Sequence, residues 1–287
     1  MISYAQNRED VLLSRAFGDQ PTGFYVDVGA HHPLIDSITK HFYDRGWRGI
    51  NVEPGATFSA FPAERQADTN LQCALSHQAG TATLYEFPGT GLSTLCSAEA
   101  EARKTEGRKP AERQVETITL ATLCQTYVTR EIDFISIDVE GHEHDVIAGG
   151  DWQRWRPRIA VVESTRPNSR VTSHQAWEHI LLSADYTFGC FDGLNRFYVR
   201  NEDLSLLAAL RHPVSALDQV VPFAHLNQVQ ELQGQVAALE ATIAELRQSQ
   251  PLRYWLSRAA AKARRWVSGQ ATTRRRENAM QSTICSS

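Results

Sequence analysis

A chain of 287 residues, 42% of them apolar, has enough hydrophobic side chain to bury a substantial core, which excludes an intrinsically disordered protein. The first residues are polar and no apolar run approaches the ~20 residues of a membrane span, so neither a secretory leader nor a spanning helix is read, and the expected setting is the cytoplasm. The net charge of −4 is unevenly divided: residues 251–287 hold eight Arg or Lys and one Glu, a net of +7, which leaves −11 for the residues before them and points to a body and a tail with different partners.

In chain order, residues 6–17 read as a helix with Val11, Leu12 and Phe17 on its apolar face. Residues 23–30 form a buried strand running into a glycine turn, followed by a helix over 37–45. A strand over 49–54 ends in Glu53, and 57–66 is a helix interrupted early by Pro62. Residues 71–75 read as a third short strand, and 81–87 alternate as an edge strand does. After a Gly-, Thr- and Ser-rich loop over 88–97, the charged segment 98–112 reads as an exposed helix or a mobile lid. A strand over 115–120 and a helix over 121–128 lead to Phe134, Ile135, Ile137 and Val139, an apolar run typical of a strand buried on both faces. Gly141 gives that strand a sharp exit into a helix over 143–148. Residues 159–163 are a further core strand, again ending in an acid, Glu163. An amphipathic helix over 173–183 precedes a hairpin of 186–190 and 195–199 around Asp192-Gly193. The alternation specifies an α/β fold with a mostly parallel sheet, helices on both faces and an antiparallel terminal strand.

Five cysteines, Cys73, Cys96, Cys124, Cys190 and Cys285, without a Cys-x-x-Cys pair, argue against a disulfide framework and against a thiolate zinc site.

Ligands of open α/β sheets bind just beyond the carboxyl ends of the strands, which is where Asp138, Glu140 and His142 fall. The plainer alternative is that the acids cap the next helix and the histidine is a solvated loop residue. At Asp27-Val28-Gly29-Ala30 the first strand turns into a helix, and a glycine there lets the backbone approach a ligand closely. The full Gly-x-Gly-x-x-Gly cradle for a dinucleotide pyrophosphate is missing. Glu53, about 20 residues further on, is placed to accept hydrogen bonds from ribose hydroxyls. A ribose acid without a phosphate cradle suggests S-adenosylmethionine, the commonest adenosine cofactor that lacks a phosphate.

Four runs carry a family resemblance: Ser3-Tyr4-Ala5-Gln6-Asn7-Arg8-Glu9-Asp10, Gly23-Phe24-Tyr25-Val26-Asp27-Val28-Gly29-Ala30-His31, Arg45-Gly46-Trp47-Arg48-Gly49-Ile50-Asn51-Val52-Glu53-Pro54 and Asp133-Phe134-Ile135-Ser136-Ile137-Asp138-Val139-Glu140-Gly141-His142-Glu143. Together they resemble the FkbM family of methyltransferases. The resemblance implies a class I, Rossmann-like fold, S-adenosylmethionine as cofactor, and methylation of hydroxyl oxygens on sugars or polyketide-type products. It implies that Asp27 and Gly29, with Ala30 beside them, lie against the methionine part of the cofactor, that Glu53 holds the ribose and that Ala74 borders the adenine. Asp138, Glu140 and His142 would face the acceptor. The sequence departs from the general class I pattern after Ala30, where His31, His32 and Pro33 follow a single glycine.

A sugar hydroxyl is a weak acid, so its methylation calls for a base, a metal or both. His142 is the natural base. Asp138 and Glu163, ending adjacent strands, would be the ligands of a divalent metal, and His31 and His32 are secondary candidates.

Beyond residue 222, Val229, Leu232, Val236, Leu239, Ile243 and Leu246 make about three heptads whose β-branched first positions and leucine second positions favour a parallel homodimer. Gly234 and sparsely charged flanks weaken that reading, and the alternative is one amphipathic helix folded back on the body. From 251 onward Trp255, Leu256, Trp266 and Val267 share a helical face among Arg253, Arg258, Lys262, Arg264 and Arg265, which suits the anionic inner face of a membrane better than nucleic acid. Residues 270–287 read as disordered. The expected organisation is a methyltransferase domain over 1–222, a coiled coil over 223–250 and a basic helix with tail over 251–287. The expected function is an O-methyltransferase acting on a sugar, glycan or glycolipid precursor. The competing readings are a non-catalytic nucleotide- or sugar-binding scaffold that recruits partners through its coiled coil, and an NAD-dependent oxidoreductase, which the missing glycines disfavour.

Overall fold

In a computed structural model, which describes residues 1–167, 169–248 and 253–267, the central apolar runs assemble into one mixed sheet. Its strands are β1 (Phe24–Val28), β2 (Arg48–Val52), β3 (Thr69–Leu71), β4 (Phe134–Ile137), β5 (Ile159–Glu163), β6 (Tyr186–Phe191) and β7 (Asn195–Arg200). They lie in the order β3-β2-β1-β4-β5-β7-β6. The first five run parallel; β7 is antiparallel to β5, and β6 is antiparallel to β7. The order reverses between β1 and β4, so the crevice at the carboxyl ends of those two strands is the natural ligand position.

Side chains alternate between the two faces, and each face has its own core. On one, Tyr25, Phe134, Ile159, Val161 and Phe197 pack under Leu12, Leu13 and Phe17 of the helix Glu9–Phe17 and under Phe42 and Trp47. On the other, Val26, Val28, Ile50, Ile135, Ile137 and Val162 pack against Leu120, Leu123, Val146, Ile147 and Leu181 from the helices Leu120–Tyr127, Glu143–Ala148 and Glu178–Ser183. Burial on both faces is why these strands carry continuous apolar runs.

Several expected boundaries move, each for a local reason. The first helix starts at Glu9, because Arg8 is left-handed with φ 67°. The helix expected over 37–45 is the short Lys40–Asp44. Residues 57–66 divide into a 3-10 turn, Ala56–Ala60, and a single α-turn, Phe61–Glu64, since Pro62 has no N–H to continue a ladder. The helix expected over 173–183 breaks at Trp177, leaving the 3-10 turn His174–Ala176 ahead of Glu178–Ser183. The strand expected over 71–75 is two strands. β3 ends the main sheet at Leu71, and Ala74–Leu75 joins a second sheet in which Ala111–Ile118 pairs with it in parallel and with Gly80–Glu86 in antiparallel register. Residues 111–112 therefore belong to a strand, and the helix before them is Ser97–Thr105.

The chain divides into two units, Met1–His225 and Leu226–Ser287. In the second, the helix Phe223–Gln248 continues, and its heptad residues from Val229 to Leu246 are between 48% and 63% exposed. Residues 253–267 form a further helix. Residues 268–287, which include the stretch 270–287 that reads as a disordered tail and Cys285 within it, lie outside the described residues. Among the described residues no helix is long and apolar enough to cross a membrane.

Candidate active site

The register brings the acids together. One residue past the last paired row of Val28, Val52, Ile137 and Val162 come Gly29, Glu53, Asp138 and Glu163, and Asn195 on β7 pairs directly with Glu163. This row borders a cavity of about 820 Å³ in the first unit, walled on its far side by the second sheet and by the loop 87–95. Asp27, Gly29, Ala30, Glu53, Ala74, Asp138, Glu140 and His142 all line it, as do His31 and His32. Glu163 is buried behind the lining.

Gly29 is required by two constraints. Its φ is +79°, and a Cβ there would lie 1.7 Å from the carbonyl oxygen of Asp138. The turns after β1 and β4 thus touch, and the Asp138 N–H donates to Val28 O at 3.0 Å. Buried Asp27 accepts from Thr39 Oγ1 at 2.8 Å, and burial raises its carboxyl to about 6. Glu53 accepts from the backbone N–H of His31 at 2.8 Å and of Gly55 at 2.6 Å, yet burial still lifts it to about 7.

Asp138 and Glu163 are hydrogen-bonded to each other. Burial raises both, and the charge of Asp138 raises Glu163 further, so Glu163 holds the proton and donates it to the Asp138 carboxylate. Glu163 Oε2 has no partner among the described residues. The sequence makes these two groups the expected metal ligands. Among the described residues, however, no group of three or more His, Cys, Asp or Glu is placed to hold a metal ion, and two carboxylates alone supply few of the ~6 or more oxygens that such a divalent cation takes.

Glu140 (φ 55°) and Gly141 (φ 96°) make two successive left-handed residues. Three contacts hold this strained turn: Arg103 Nη2 to Glu140 Oε2 at 2.8 Å, Thr94 Oγ1 to Glu140 O at 2.8 Å, and the Gly141 N–H to Glu143 Oε1 at 2.9 Å. Burial, then the charge of Asp138, raises Glu140 to about 8 against the lowering pull of Arg103. The segment read as a lid is therefore latched to the turn it covers.

His142 has both ring nitrogens engaged, Nδ1 at 3.1 Å from Asp145 Oδ2 and Nε2 at 3.2 Å from Ser76 Oγ. Burial lowers its pKa, so the ring is neutral, and the tautomer that suits both partners donates from Nδ1 and accepts from Ser76. No ring nitrogen is left for an acceptor hydroxyl in this arrangement.

Sequence reasoning missed three supports. Fully buried Arg65 donates to Pro33 O, Tyr25 OH, Ser37 Oγ and Thr39 Oγ1 at 2.7–3.2 Å, tying the loop after β1 to the underside of the site. Buried Glu9 lines the same cavity, accepts from Asn195 Nδ2 at 2.6 Å and is pushed by burial to about 8. Glu86 accepts from the Ala56 N–H at 2.5 Å and faces Arg113 at 3.3 Å. Neither Arg65 nor Glu86 carries a sequence signal; Glu9 lay within the run that carried the resemblance.

Residues 27–188 match the family described as the methyltransferase FkbM domain. The chain is also similar to the methyltransferase sdnD of Sordaria araneosa, with 33% identity over 175 residues that cover 50% of this chain and 67% of the relative.

Proposed function

The chain belongs to the FkbM methyltransferase family, and from that premise we propose that it moves the methyl group of S-adenosylmethionine to a hydroxyl oxygen of a sugar, glycan or glycolipid precursor, on a class I, Rossmann-like sheet. The observation that carries the cofactor assignment is the charge of the cavity. Glu9, Asp27, Asp36, Glu53, Glu86, Asp138 and Glu140 line it against a single guanidinium, Arg113. Such a lining repels the two phosphates of a dinucleotide and suits a ligand that bears a sulfonium and an ammonium. The donor set fits such a ligand. Glu53 would accept from ribose hydroxyls, Ala74, Leu75 and Leu84 offer apolar surface to the adenine, and Asp27, Gly29 and Ala30 would border the methionine part.

Bound there, S-adenosylmethionine supplies an electrophilic methyl group. The chain's own task is to hold the acceptor hydroxyl and take its proton. We assign that proton to a carboxylate oxygen of Asp138, which lines the cavity and whose affinity for a proton burial raises. His142, bound at both nitrogens, and Glu140, bound by Arg103, then position the turn that presents Asp138. The exposed heptad seam supports a parallel homodimer, with Val229, Val236 and Ile243 at its first core positions and leucines at its second.

Calorimetry with S-adenosylmethionine, S-adenosylhomocysteine and NAD tests the cofactor. The first two should bind and NAD should not, and Glu53→Gln should weaken binding by about 2 kcal/mol through lost charge-assisted ribose contacts. Binding of NAD alone would overturn the assignment.

A further inference from the structure

The helix over 253–267 has a two-sided pattern that the methyl-transfer reading does not use. At ~100° per residue, Trp255, Leu256, Ala259, Ala260, Ala263, Trp266 and Val267 occupy one continuous arc of roughly 140°. Arg253, Arg258, Lys262, Arg264 and Arg265 fall in the remaining arc, and the segment contains no Asp or Glu. Both tryptophans lie open to solvent, Trp255 at 69% and Trp266 at 66% exposure. We propose that this helix is a membrane-surface anchor that lies in the headgroup plane of an anionic phospholipid bilayer.

The apolar arc is too narrow and the segment too short to span a bilayer, which matches the absence of any spanning helix among the described residues. It is sufficient to sink into the boundary between headgroups and acyl chains, where tryptophan concentrates. The cations beside the arc reach lipid phosphates through long alkyl stems that themselves lie along the apolar zone. A second copy of the helix is a poor occupant, since two faces edged by cations without acids repel each other. Nucleic acid would engage the cations and leave both tryptophans in water.

The test uses the full chain and vesicles of phosphatidylcholine with or without ~30% phosphatidylserine. The protein should float with the anionic vesicles only, with its tryptophan emission shifted to the blue, and should be released as salt is raised. Each cation removed should weaken partitioning about fivefold, so R258E/K262E should abolish flotation. W255S/W266S should weaken it at least about tenfold, because the variant retains charge and loses insertion. An unchanged melting temperature of both variants shows that the body is intact and keeps the result separate from the fate of the cofactor assignment. Absence of flotation overturns the proposal, as does undiminished flotation of W255S/W266S. Capture of the protein from anionic vesicles by a short DNA duplex also overturns it.

Discussion

Asp138 and His142 stand four residues apart and divide the work of one turn. A base must present a lone pair to the acceptor, and Asp138 faces the cavity while both His142 nitrogens are committed to Ser76 and Asp145. Asp138→Asn should therefore lower kcat by about 10²–10⁴-fold, and His142→Asn by a markedly smaller factor. The reverse ranking in a methyl-transfer assay would return the base to the histidine. The raised carboxyls also set a pH dependence. Asp27, Glu53, Glu140 and Glu9 lie at about 6, 7, 8 and 8, so each is neutral below its value and becomes an anion as pH rises through it. The attraction for a sulfonium thus grows as pH rises from about 5.5 through about 8. The preference for S-adenosylmethionine over its neutral-sulfur product should rise at least about tenfold across that interval. A flat or falling ratio by calorimetry would contradict this. For the ligand-free protein the sign is opposite. The folded state binds the extra protons, so the stability these groups contribute is complete below their unfolded values, near ~4, and is lost as pH rises through the folded ones. The melting temperature should fall as pH rises from about 4 to about 8 and recover on adding cofactor.

At the scale of elements, the site rests on loops pinned from below by Arg65. Its guanidinium is fully buried and donates to Tyr25, Pro33, Ser37 and Thr39, a planar fan that an ammonium cannot reproduce. Arg65→Lys should cost about 3 kcal/mol or more, a fall in melting temperature of roughly 6–12 °C, measured by thermal denaturation. A loss within a degree or two would show that the loop is held by other means. No residue pattern announced this. Arg65 sits in a stretch that reads as an ordinary helix end, and one buried cation leaves no periodic trace. β1, β4 and β5 were legible because burial on both faces forces apolar runs, and the acids Glu53, Asp138 and Glu163 were legible because each stands directly after such a run. The second sheet was not, since Ala74–Leu75 finds its partner at Thr117–Ile118, more than forty residues away, and nothing local marks that pairing. A longer separation, 66 residues, hid the hold of Ser76 on His142.

Across the whole molecule, charge and exposure separate two kinds of surface. The residues before 251 carry −11 and residues 251–287 carry +7, while apolar side chains are mostly interior up to His225 and exposed on the two helices beyond it. Six aliphatic residues spaced by threes and fours along Phe223–Gln248, each about half exposed, stabilise little unless a partner covers them. A helix of this composition is only marginally stable alone. If a second copy is the partner, truncation after Gln248 should preserve the dimer and truncation before Ala224 should abolish it, both by sedimentation equilibrium. Val236→Lys with Ile243→Lys should also yield monomers, because two charges at core positions of a three-heptad seam exceed what its few aliphatic contacts contribute. A seam folded onto its own body would behave differently: the lysine variant would melt earlier without any change of mass. Because three heptads form a weak dimer, the distinction requires measurement over a range of protein concentration, and a full-length chain that stays monomeric at the highest of them removes the homodimer.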